Sequence, residues 1–156
     1  MNSASATLAI RPLSELDLGR ITSIDERLTG AYKPEMWERR VIYCLRRDPE
    51  CCPVAEVDGT VVGFLFTDLR GGEFGLEETT GWIERLGIDP DYQGRSIGRK
   101  LFENASAYLR SRGATVLRTM VGPGDEDLAG FLRALGFGEA PLRALEMPVT
   151  PPPSAP

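Results

Sequence analysis

Apolar side chains along this chain repeat at two spacings, one near 3.6 and one near 2, and their alternation predicts helices interleaved with strands. Thr7-Leu8-Ala9-Ile10-Arg11 alternates loosely and reads as a first strand. Ser14, with Asp17 three positions on, resembles a capping box, and Leu18, Ile21, Ile24 and Leu28 follow at near-helical spacing. Pro34 suits the first turn of a second helix reaching about Arg47, with Trp37, Val41, Cys44 and Leu45 on one face. Residues 54–57 and 60–66 flank Asp58-Gly59, a hairpin signal because both turn positions tolerate positive φ. A loop over about 68–81, carrying Gly71, Gly72 and Gly75, leads into the apolar strand 82–88.

Beyond that strand, Leu101, Ala105, Tyr108 and Leu109 form one face of a third helix, which Gly113 closes. Residues 116–121 read as a strand. Asp125 caps a short helix bearing Leu128, Phe131, Leu132 and Leu135, stopped by Gly136, and 142–149 reads as a last strand. The order β-α-α-β-β-β-α-β-α-β predicts a mixed α/β (α+β) layer structure. One domain is expected over 6–149, with a disordered start at 1–5 and a proline-rich disordered tail at 150–156.

Composition narrows the chemistry. The 156 residues are 42% hydrophobic and 26% charged, as in soluble globular proteins. No apolar run reaches bilayer length and no signal-peptide pattern is present, so a cytoplasmic protein away from membranes is expected. A net charge of −5 argues against nucleic-acid binding, which needs clustered cations. Histidine is absent, which removes Ser-His and Cys-His nucleophilic sites. The three cysteines, Cys44, Cys51 and Cys52, have no metal-ligand spacing, and no metal is expected.

The chemistry-bearing stretch is strand 82–88, then Asp89-Pro90-Asp91-Tyr92, then Gln93-Gly94-Arg95-Ser96-Ile97-Gly98-Arg99, then a helix. A small-residue loop entering a helix leaves several N–H groups free to converge on one anion. Arg95, Arg99 and Lys100 add positive charge, and Gly94 and Gly98 let backbone approach a phosphate. This order resembles the pyrophosphate-binding signature of the GNAT superfamily of N-acetyltransferases. The family pattern is Gln/Arg-x-x-Gly-x-Gly/Ala, and Ser96 stands where its first glycine falls.

The resemblance implies a GNAT fold, with a mixed, mostly antiparallel sheet of six to seven strands flanked by four helices. Its two central parallel strands are expected to splay apart. It implies acetyl-CoA as co-substrate, with the diphosphate on Gln93, Gly94, Arg95, Ser96, Ile97, Gly98 and Arg99. The pantetheine arm is then expected against the backbone of Leu86, Gly87 and Ile88, where an N–H also polarises the thioester carbonyl. Alternation puts Trp82, Glu84, Leu86 and Ile88 on one strand face, and a carboxylate among apolar neighbours makes Glu84 the expected general base. Its bland alternative is an ion pair with an arginine.

Leu132 occupies the position where the family often carries a tyrosine acid, and no other tyrosine is singled out. The acidic stretch 73–84 suggests a cationic primary amine as acceptor, such as a lysine side chain, a polyamine or another small amine, with Tyr32, Lys33 and Glu35 at a substrate rim. A monomer or homodimer is expected. The alternative is a catalytically silent GNAT-like module that binds acyl-CoA for regulation or assembly.

Overall fold

The computed structural model describes residues 6–150. Five strands form one sheet in the order β1 (Leu8–Pro12), β2 (Pro53–Val57), β3 (Thr60–Gly71), β4 (Thr79–Ile88), β5 (Val116–Thr119). The first four pair antiparallel and β5 lies parallel to β4. The helices are α1 (Leu18–Thr29), α2 (Pro34–Arg47), α3 (Ile97–Ser111) and α4 (Glu126–Leu135). By internal contacts the chain falls into two compact units, Met1–Met120 and Val121–Pro156. The first holds the sheet with α1 to α3; the second holds α4. Of the expected disordered termini, 1–5 and 150–156, all but Thr150 lie outside the described residues.

Local chemistry explains most boundaries. Ser14 and Asp17 form the reciprocal capping box, here opening a 3-10 turn that runs into α1, and left-handed Gly30 ends that helix. Asp58 and Gly59 both take positive φ in the β2–β3 turn.

Two sequence expectations are corrected. The sheet has five strands among the described residues, not six to seven: residues 142–149 carry no strand, and Leu145, Met147 and Val149 lie exposed. Alternation makes a segment fit for pairing but supplies no edge to pair with. The expected loop over 68–81 is mostly ladder, with Leu69 opposite Gly81, Arg70 opposite Thr80 and Gly71 opposite Thr79.

One sheet face packs on α1 and α2. Its centre is a ring trio of Trp37, Phe64 and Phe66, with centroids 5.2 to 5.7 Å apart in edge-on and tilted arrangements. The other face packs Ala55, Val62 and Leu65 against Ile97, Leu101 and Ala105 of α3. On the first face, Gly87 makes room for the trio, because a Cβ there would run into the ring of Phe64.

Candidate active site

The β4–β5 ladder is short. It joins Thr80 to Val116 through Ile83 to Thr119 and then stops, while β4 continues to Ile88. Past Ile83 one edge of β4 has no strand beside it among the described residues; the Thr119 hydroxyl donates to the Ile83 carbonyl at 2.8 Å where the pair separates. On the other edge, Asp89 N–H donates to Val62 O at 2.8 Å. Antiparallel alternation then turns the backbone polar groups of Gly87 toward β3 and those of Leu86 and Ile88 toward the open edge. Gln93 Nε2, reaching Ile88 O at 3.4 Å from that edge, agrees.

The β3–β4 register shifts between Phe66, opposite Arg85, and Thr67, opposite Ile83, so Glu84 is an inserted bulge residue. Strict alternation therefore fails. Glu84 and Arg85 both point to the α1/α2 side, bonding Arg40 of α2 and Asp25 of α1, while Leu86 and Ile88 pack with the α3 cluster. Trp82 and Glu84 share a face as expected; Leu86 and Ile88 do not join them.

At the C-terminal end of β4, Asp89 accepts from Asp91 N–H at 2.9 Å and opens the 3-10 turn Pro90–Tyr92. Arg20 and Arg27 of α1 bind the same buried carboxylate at 3.0 and 2.6 Å, fixing the turn to the helix layer. Gln93, Gly94, Arg95 and Ser96 follow, all exposed, and buried Ile97 anchors the first turn of α3. Gly94 (φ 77°) and Ser96 (φ 62°) are both left-handed, the backbone shape that turns successive amides toward a common anion. Ser96 makes no capping bond, so its hydroxyl is uncommitted. The Arg95 guanidinium stacks 4.9 Å over the Tyr92 ring, and Arg99 and Lys100 are exposed on the next turn.

Left-handed backbone costs a non-glycine residue about 1–2 kcal/mol. Ser96→Gly is therefore expected to stabilise the protein by about 1 kcal/mol, raising Tm by roughly 2–4 °C in a thermal melt.

Glu84 is clamped. Arg40 pairs with one carboxylate oxygen and Arg70 with the other at 2.7 Å. Asp68, buried beside it, takes Arg47, Arg70 and the Tyr43 hydroxyl. Next along the strand, Arg85 meets buried Asp25 at 2.7 Å. An ion pair with an arginine is the alternative expected for Glu84, but the sequence does not single out which arginines, because the partners of Glu84 and Arg85 lie on elements 14 to 60 residues away along the chain. Tyr108 is spent on Asp48 at 2.5 Å, which pushes its hydroxyl up to about 12. Cys44, Cys51 and Cys52 are free thiols in the core, and burial, with Asp48 beside it, pushes Cys51 up to about 12. Leu132 is buried on α4.

Two carboxylates titrate low. Burial works to raise Asp25 and Asp89, but the Trp37 indole, Arg85 and Lys33 at the first, and the Asp91 N–H with Arg20 and Arg27 at the second, hold both below the ordinary range. A lowered folded pKa contributes stability that is complete above the unfolded value near ~3.9 and lost as pH falls through the folded value. Tm is thus expected to be insensitive to these groups from pH 7 to about 4 and to drop below it, with Asp89→Asn flattening that acid limb.

A five-stranded sheet, opened between two parallel strands above the left-handed turn at Gly94 and Ser96, defines the class of domain. A model of the acetyltransferase (GNAT) family matches residues 18–137, and the chain belongs to that family. An uncharacterised N-acetyltransferase of Methanocaldococcus jannaschii is 31% identical over 109 residues, which is 69% of this chain and 48% of that protein. A mycothiol acetyltransferase of Cellulomonas flavigena is 31% identical over 140 residues, 87% of this chain and 36% of that protein. The chain thus spans half or less of the length of these two relatives. An aminoglycoside N-acetyltransferase AAC(6')-Iy, solved in complex with CoA, shares the fold with TM-score 0.82 at 16% identity, over 96% of this chain and 100% of that one. Among the described residues no helix is long and apolar enough to cross a membrane, and no group of three or more metal-ligating side chains occurs.

Proposed function

We propose that this domain transfers an acetyl group from acetyl-CoA to a primary amine by direct attack. The observation that carries the reading is the unpaired β4 edge beyond Ile83, leading straight into the left-handed amide turn at Gly94 and Ser96. An extended, amide-bearing arm ending in a diphosphate fits that sequence of features: strand-like bonding first, then converging N–H donors. Acetyl-CoA supplies an activated acyl carbon and a thiolate that leaves readily.

Each chain residue then has a task. Leu86 and Ile88 bond the pantetheine amides, and the Leu86 N–H beside the bulge meets the carbonyl oxygen as charge develops on it. Gly87 keeps the strand seated by admitting the Phe64 ring. The amides of residues 93–99, with Arg95 and Arg99, take the diphosphate. Glu84, two residues from Leu86, accepts a proton from the attacking amine, directly or through water. The amine nitrogen bonds to the acyl carbon, the carbon–sulfur bond breaks, and the thiolate leaves as CoA or takes a proton from water. Arg40 and Arg70 hold the Glu84 carboxylate in place on the α2 side of β4, and the proton passes on to solvent.

That same clamp is the one observation favouring a second reading, a domain that binds acyl-CoA without turnover. A free-thiol release assay over a panel of amines separates the two. Amine-dependent release that falls about 10²-fold in kcat in Glu84→Gln, with acetyl-CoA affinity unchanged, is expected. Tight acetyl-CoA binding with no release from any amine contradicts the transfer reading.

A further inference from the structure

Arg118, on β5, is 6% exposed and makes no ion pair among the described residues. Among the described residues its guanidinium makes one hydrogen bond, from Nη1 to Thr80 Oγ1 at 2.8 Å. A buried guanidinium with five N–H donors and no counter-charge is unfavourable in a folded protein unless something else supplies the charge.

A second donor lies beside it. Trp82 is paired with Arg118 in the parallel register, so the two side chains share a face, and Thr80 shares it two residues earlier. The Trp82 indole N–H is buried and has no hydrogen-bond partner. Its ring is packed edge-on against Phe74, centroids 6.0 Å apart. Two acids on this face are already committed: Asp68, opposite Trp82 on β3, holds Arg47, Arg70 and Tyr43, and Glu84 holds Arg40 and Arg70, while Glu77 and Glu78 before the strand are exposed. Guanidinium and indole donors thus sit together with one hydroxyl and, among the described residues, no acid within ion-pair distance of Arg118. This face is the one from which Glu84 points, two residues on, about 7 Å at strand rise.

From this we infer that the acceptor amine carries a carboxylate, which Arg118 and Trp82 Nε1 bind while the amine reaches Glu84. The inference rests on the transfer reading above and narrows its substrate class from cationic amines to amines bearing an anionic group. A site that bonds a carboxylate discriminates against the neutral analogue, because the analogue leaves buried donors unpaired.

The test has two arms. In the first, glutarate is titrated into wild type and Arg118→Met, with Tm read by differential scanning. Glutarate raises the wild-type Tm and leaves the variant unmoved, and the variant without glutarate is at least as stable as wild type, since an uncompensated buried charge has gone. In the second, thiol release is measured for glycine, β-alanine, γ-aminobutyrate and 6-aminohexanoate, each against its primary amide. At least one acid exceeds its amide tenfold or more in kcat/KM, Arg118→Met abolishes the preference, and KM for acetyl-CoA stays unchanged. Wild type insensitive to glutarate, amides that match or outrun acids, a preference surviving Arg118→Met, or a variant that melts well below wild type would each overturn the inference. Absence of thiol release from every amine sinks the transfer reading instead, and the glutarate arm still decides whether the anion site exists.

Discussion

Gly98→Trp is expected to lower the affinity for acetyl-CoA on the order of 10³-fold while the protein keeps its fold. Gly98 sits in the first turn of α3, directly after the left-handed Ser96 and the buried Ile97 anchor. The turn's free amides are the first N–H groups of that helix, which have no acceptor within it. Each charge-assisted bond from such a donor is worth about 1.5–3 kcal/mol. An indole placed over them blocks two or three, and about 4 kcal/mol corresponds to three decades in Kd. Helix propensity works in the variant's favour, because glycine is the poorer residue in a helical turn. Titration calorimetry with acetyl-CoA reads the loss, and a far-ultraviolet spectrum with an unchanged melt shows the fold intact. Unchanged affinity contradicts the assignment of this loop.

Phe64→Ala is expected to cost about 3–5 kcal/mol, a large part of the roughly 5–15 kcal/mol by which a domain is stable. Phe64 is fully buried, touches Trp37 and Phe66 edge-on, and fills the space opened by the missing side chain of Gly87. Its loss removes ring-pair contacts and leaves a cavity beside the stretch of β4 that follows the bulge. Urea denaturation should show the midpoint falling with little change in slope. Gly87→Ala probes the same contact from the other side and should cost about 1–3 kcal/mol by forcing the Phe64 ring aside. A Phe64→Ala protein as stable as wild type would mean that the trio is not the centre of this core.

Much of this architecture is legible along the chain, since its causes are local. The capping box at Ser14, the hairpin at Asp58-Gly59 and the helix stop at Gly136 depend on residues within a few positions. The order of elements up to β5 follows from periodicity. Three features depend on distant pairing. The bulge at Glu84 arises from how β3 and β4 align, and no residue near Glu84 announces it; with it the expected single face from Trp82 to Ile88 breaks. Residues 142–149 have a strand's alternation without a strand's partner. The arginines on Glu84 and Asp25 come from α2, β3 and β4, brought together only by folding. Ser96 shows the reverse case: its departure from the glycine pattern is visible in sequence, and the structure gives it the left-handed backbone that glycine there would hold.

In the proposed function, main-chain amides between Gln93 and Arg99 bind the diphosphate of coenzyme A. Nitrogen-15 amide spectra recorded with CoA and with pantetheine, which lacks the diphosphate, test it most directly. Large shifts are expected at Gly94 through Arg99 with CoA that pantetheine does not reproduce, while Leu86 and Ile88 move with both. Amides 94 to 99 that stay in place on saturation with CoA would contradict it.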